Sequence, residues 1–148
     1  MTSAHRRWGS PWLGYATCAW TVIFAAPHIW WGIGSSFAFP GGEASYRVFV
    51  SATWRIVFDW FVVFLSFTGF GVALALAHPW GPMPPPWHLL AAARTAFVIL
   101  TLRGVGGLVV DGLVRPYWTL MFVLGGLLFG GVAWGATVPV KSRRHPGR

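Results

Sequence analysis

The stretch Trp54–Ala77, WRIVFDWFVVFLSFTGFGVALALA, decides how the rest of the chain is read. Arg55 and Asp59 stand near one end of it, and from Trp60 to Ala77 no residue carries a charge. About 20 apolar residues in a helix cover a hydrocarbon core of about 30 Å. Three further runs meet that length: Trp12 to Ile33, Trp87 to Leu113 and Tyr117 to Val138. The expected fold is all-α, a four-helix transmembrane bundle in one domain over residues 1–148, with spans at 12–33, 54–77, 87–113 and 117–138.

Composition agrees. Hydrophobic residues make up 55% and charged residues only 9%, against roughly 25% charged in soluble domains. So few charges do not cover a water-facing surface. The net charge of +8 is concentrated in basic residues at the chain ends (Arg6, Arg7, Lys141, Arg143, Arg144, Arg148) rather than interleaved along a groove. That pattern argues for a lipid bilayer as partner and against nucleic acid. Trp12, Trp30, Trp31, Trp54, Trp80, Trp87, Tyr117 and Trp118 fall at the expected span ends, where aromatic side chains favour the headgroup level. The first run is read as a retained span. It exceeds the roughly 7–15 apolar residues of a signal peptide, and Pro27 interrupts it just after Ala25–Ala26.

Orientation follows from the basic residues. With the N-terminus inside, seven of them (Arg6, Arg7, Arg94, Lys141, Arg143, Arg144, Arg148) lie on the inner side. Arg47, Arg55, Arg103 and Arg115 lie on the outer side, together with all three acids, Glu43, Asp59 and Asp111. The expected topology is N-in/C-in, multi-pass in a bacterial plasma membrane, with 139–148 as a basic cytoplasmic tail. The segment Gly34 to Thr53 is read as a long outer loop with the Gly41–Gly42 pair, and the stretch after His78 as a stiff proline-rich inner connector. The short outer turn at Arg115-Pro116 makes the last two spans antiparallel neighbours.

Charge inside the membrane needs a reason, at about 2.5–3.5 kcal/mol per mid-span residue on insertion scales. Arg94 and Arg103 are nine residues apart, about 13–14 Å along a helix, so they cannot occupy opposite interfaces about 30 Å apart. Arg103 is left in the outer half. Asp59 is expected about 7–8 Å below the outer edge, with Arg55 four residues earlier on the same face and His28 at similar depth. Asp111 and Arg115 form another i,i+4 pair. His28, Arg55, Asp59, Arg103 and Asp111 are therefore the candidate ligand-binding residues. Two readings stay open. In one, Arg55, Asp59 and Arg103 form a structural ion-paired triad while His28 bonds a carbonyl freed by Pro27. In the other, the cluster lines a polar pocket.

Other chemistry is thin. Cys18 is the single cysteine, so intramolecular disulfides and CxxC redox pairs are excluded, and it reads as a small buried apolar residue. His28 lies at the opposite end from His78 and His88, so one haem held across both groups is not expected; His78 and His88 are read as interfacial side chains, with a site shared by the two as the alternative. No metal site, cofactor, nucleophile elbow, Walker loop or HExxH motif is indicated. Gly126-xxx-Gly130 and Gly131-xxx-Gly135 permit close helix approach, read first as packing within the chain.

Pro27-His28-Ile29-Trp30-Trp31-Gly32-Ile33-Gly34, followed by Phe39-Pro40-Gly41-Gly42, resembles the first-span signature of a family of small bacterial four-span membrane proteins of unknown function. Arg103-Gly104-x-Gly106-Gly107 and Tyr117 are also similar. The resemblance implies a four-helix membrane fold and carries no activity. The leading expectation is a non-enzymatic binding or accessory component, acting with a membrane-protein partner or as a homo-oligomer. A membrane-embedded enzyme acting on a lipid or lipid-soluble substrate, with His28 as general base, and an oligomeric transporter subunit are the alternatives.

Overall fold

The computed structural model describes residues 11–78, 86–110 and 116–137. Within them the chain is all-α, with five helices and no strand. Four are long: α1 (Pro11–Gly32), α3 (Thr53–Ala77), α4 (Trp87–Val110) and α5 (Pro116–Gly135). The fifth, α2 (Gly42–Val50), lies between α1 and α3. The long helices coincide with the four expected runs. The segment Gly34 to Thr53, read as a long loop, contains a helix: the apolar residues Tyr46 and Phe49 fall on one side of the short amphipathic α2.

α3, α4 and α5 are long and apolar enough to cross a membrane, with mean hydropathy of 2.1, 1.5 and 1.6. They mark the chain as a membrane protein. α1 is 22 residues long and carries no acid or base, but it is not among the three helices apolar enough by mean hydropathy. Large apolar side chains cover the outside, among them Phe58, Phe61, Phe64, Val109 and Leu127. Such a surface suits lipid rather than water.

Two antiparallel pairs build the bundle. α1 runs against α3, placing Gly14 beside Ala77 and Cys18 beside Phe70, whose carbonyl accepts from the thiol at 3.6 Å. α4 runs against α5, with Gly126 facing Thr101, Gly104 facing Val123 and Gly130 facing Phe97. α1 also packs on α5, while α1 and α4 stand across the diagonal. The glycines thus serve contacts inside the chain, as read from their spacing. A Cβ on Gly14 would lie only 2.5 Å from the Ala77 Cβ. Without a hydrophobic drive between helices in lipid, such close contact supplies much of the adhesion.

The core between the pairs is aromatic. Trp20 stacks on Phe24 with ring centroids 5.0 Å apart, meets Phe129 edge-on, and donates its indole N–H to the Met121 carbonyl at 3.2 Å. Its ring occupies the place that a side chain on Gly125 would take. Buried hydroxyls are satisfied by their own helices: Thr17 donates to Leu13, Thr21 to Cys18 and Ser66 to Val62. In lipid that local bond is the available way to place a hydroxyl in the interior. Gly125→Ala is therefore expected to lower stability by about 1–3 kcal/mol through overpacking. Gly106→Ala, where a new Cβ meets no atom within 4 Å, is expected to match or exceed the parent because alanine is the better helix former. Melting of both variants in mild detergent checks the contrast.

Candidate functional site

α1 and α3 bring His28 and Asp59 together at the end of the bundle where α2 lies. Antiparallel pairing puts the C-terminal part of α1 beside the N-terminal part of α3, so residues of matching depth meet. The imidazole Nδ1 and the carboxylate Oδ1 are 2.6 Å apart, the short separation of a charge-assisted bond. Asp59 is only 4% exposed. Its second oxygen, Oδ2, is buried without a hydrogen-bond partner, the one such side-chain atom among the described residues. Buried polar atoms are rarely left so.

Aromatic rings wall the histidine. Phe24, Trp31 and Trp118 lie with ring centroids 5.1, 5.2 and 6.1 Å from His28. Trp31 is itself fixed at both ends: its indole N–H donates to the Phe37 carbonyl at 3.1 Å, and its own carbonyl accepts from the Tyr46 hydroxyl at 3.0 Å. Phe39 packs against Trp31, Tyr46 and Phe49. α2 and the segment before it therefore close over the histidine side of the site. That segment turns on residues of positive φ, Gly34, Ala38, Gly41 and Gly42, and the Gly41–Gly42 pair supplies the left-handed backbone on which α2 starts. The imidazole makes no hydrogen bond from Nε2 to a described residue, and the side chain keeps 16% exposure. One edge of the ring is held and the other is free to act.

The arginines stand elsewhere. Arg55 donates from Nη1 to the Val48 carbonyl at 2.9 Å and lies over the Trp54 ring, so its charge serves the C-terminal turn of α2. Arg103 lies over the Phe122 ring at 5.0 Å. The expected Arg55–Asp59–Arg103 triad is thus corrected: among the described residues the ion pairs are His28–Asp59 and Glu43–Arg47. His28 likewise bonds Asp59 rather than a carbonyl freed by Pro27. The physical reason is reach, because each arginine finds a nearer partner, backbone for one and an aromatic face for the other. The candidate residue Asp111, with its expected partner Arg115, lies outside the described residues, as do the basic chain ends, Trp80 and the proline-rich connector. Glu43–Arg47 is an exposed i,i+4 pair of small worth.

Trp31, Trp118, Phe39 and Tyr46 were legible only as interfacial aromatics or loop residues. Trp31 is 5% exposed, so it belongs to the site, whereas Trp12, Trp54 and Trp87 remain exposed as an interfacial belt requires. No group of three or more metal-ligating side chains occurs among the described residues. An apolar groove of about 110 Å³ between Thr21, Ala25, Ser66 and Phe70 runs along α1 and α3, and neither His28 nor Asp59 lines it. No protein-family model, curated protein or solved structure matches the chain.

The geometry fixes an order of effects. His28→Ala leaves a buried carboxylate with no partner on either oxygen, a loss of about 3–5 kcal/mol. Asp59→Asn keeps an oxygen or amide opposite Nδ1 and is expected to cost less. His28→Ala/Asp59→Asn together should be milder than the sum of the two, because removing the charge removes the penalty that His28→Ala creates. A double-mutant cycle of unfolding free energies in detergent measures this coupling; additive effects would mean the two side chains do not interact.

Proposed function

We propose that the chain is a four-span integral membrane protein of a bacterial plasma membrane, with both ends in the cytoplasm. In this reading it acts as a binding or accessory component through His28 and Asp59 in the outer half of the bilayer. The reading joins α1 to the three strongly apolar helices as a fourth span, since it is of spanning length and free of charge. The basic chain ends set the inner side. It is also the reading under which the Pro27–Gly34 motif belongs with the small bacterial four-span proteins it resembles.

The observation that carries the binding reading is the unpartnered, buried Oδ2 of Asp59. A carboxylate oxygen in a low-dielectric interior costs free energy until a donor reaches it. The expected occupant is a small molecule or lipid-borne group that donates a hydrogen bond to Oδ2 while contacting the free edge of His28. A membrane-embedded enzyme is the second reading, favoured by the 2.6 Å bond itself. A carboxylate that fixes Nδ1 leaves Nε2 oriented as a general base. No hydroxyl or thiol among the described residues bonds the imidazole, so the proton it took would come from water or from the substrate.

Mass spectrometry of the full chain released from mild detergent tests the proposal. A bound small molecule is expected on the parent, with occupancy reduced at least about tenfold in Asp59→Asn and His28→Gln and unchanged in Glu43→Gln. Equal occupancy in all four proteins would place the ligand elsewhere. A partner chain retained regardless of His28 would support the accessory role without the pocket. Topology is checked separately by C-terminal reporter fusions, which are expected to be active on the cytoplasmic side only.

A further inference from the structure

Arg103 stands on α4 seven residues before Val110, its last residue, about 10 Å along the axis from that end. α4 has 24 residues, about 36 Å of helix, against a hydrocarbon core of about 30 Å. A centred α4 therefore leaves the Arg103 backbone inside the hydrocarbon. Its guanidinium meets no carboxylate among the described residues. A cation in that position needs an anion or water.

The direction of the side chain shows where it looks for one. Side chains on a helix lean toward its N-terminus, yet Arg103 runs the other way. Its Nη1 lies 3.2 Å from the point where a Cβ on Gly107 would stand, one turn nearer the α2 end. The Thr119 hydroxyl, reaching across from α5, lies 3.1 Å from the same point. Thr119 is 3% exposed. The absence of a side chain at Gly107 thus lets a guanidinium and a hydroxyl converge over its backbone, closer than a Cβ there would allow. Beside it, Leu102, Val105 and Val109 are exposed along α4.

We infer that Arg103 and Thr119 form a phosphate site. The guanidinium takes two phosphate oxygens in the forked geometry that suits it, and the Thr119 hydroxyl donates to one of them. The phosphodiester of a lipid in the leaflet at the α2 end fits best, since its acyl chains would lie along Leu102, Val105 and Val109. Free phosphate offers the same chemistry. This inference rests on α4 spanning the membrane and is independent of what His28 and Asp59 bind.

The test is native mass spectrometry of the full chain in detergent, titrated with phosphatidylglycerol, with a phosphate-free diacyl galactolipid and with inorganic phosphate. Phosphatidylglycerol is expected to bind the parent at least about tenfold more tightly than the galactolipid. That preference should be lost in Arg103→Gln, partly kept in Arg103→Lys and weakened about threefold in Thr119→Val. Inorganic phosphate that binds as well as phosphatidylglycerol and is lost in Arg103→Gln would assign the site to the free anion and overturn the lipid. Equal binding of the two lipids to the parent, or phosphatidylglycerol binding unchanged in Arg103→Gln, would overturn the site altogether. Should Arg103→Gln not fold, Arg103→Lys and Thr119→Val carry the same comparison, and unchanged binding in both would sink it.

Discussion

Asp59 is held in the interior by one 2.6 Å bond to His28, and the α2 end of the bundle is arranged around that bond. Neither water nor lipid solvates a carboxylate at 4% exposure, so the partner has to come from a neighbouring helix. Antiparallel pairing of α1 with α3 is the geometry that provides it. Close approach along Gly14 and Cys18 sets the register of the two helices, and that register delivers His28 to Asp59 at the far end. The aromatic wall then follows from need. A histidine facing an acid among apolar helices is shielded by rings whose faces tolerate a positive edge, and Phe24, Trp31 and Trp118 fill that place.

Adhesion and chemistry are divided along the bundle. Toward the end opposite α2, the contacts are glycine, alanine, threonine and phenylalanine, packed closely enough that an added methyl group collides. Toward the α2 end the contacts include side chains with hydrogen-bonding tips, and among the buried side-chain atoms of the described residues Asp59 Oδ2 alone has no partner. Dense packing below makes the upper end stiff, and a stiff frame can hold a polar atom without a partner that a looser one would relax around. The unpaired oxygen is thus better explained as a property of the frame than as an accident of one side chain.

The helices were legible because lipid imposes a length. Runs at 54–77 and 87–113 predicted nearly all of α3 and the whole of α4 from hydropathy alone. α2 was not legible in the same way, since nine residues with Gly41–Gly42 before them read as a loop, and only the 3-residue spacing of Tyr46 and Phe49 hints at a helical face. In the site, equal depth put His28 and Asp59 among the five candidates without pairing them, and the structure brings these two within 2.6 Å. Opposite charge wrongly suggested Arg55 and Arg103 as partners, because depth along an axis says nothing about which face of a helix a residue occupies. Trp31 was hidden for a related reason. Tryptophan at a span end is ordinarily interfacial, and only the Tyr46 and Phe37 contacts show that this one is turned inward.

The two polar places at the α2 end are not isolated from one another. Trp118 touches His28, and one turn further along α5 Phe122 touches both Phe24 and Arg103. Thr119 lies between them on the same helix and faces Gly107. A displacement of α5 at this level therefore moves the wall of the histidine and the floor beneath the arginine together. Packed aromatic contacts transmit such a shift because rings in close contact do not compress. The two places therefore share one stretch of α5, Trp118 to Phe122, as a common wall.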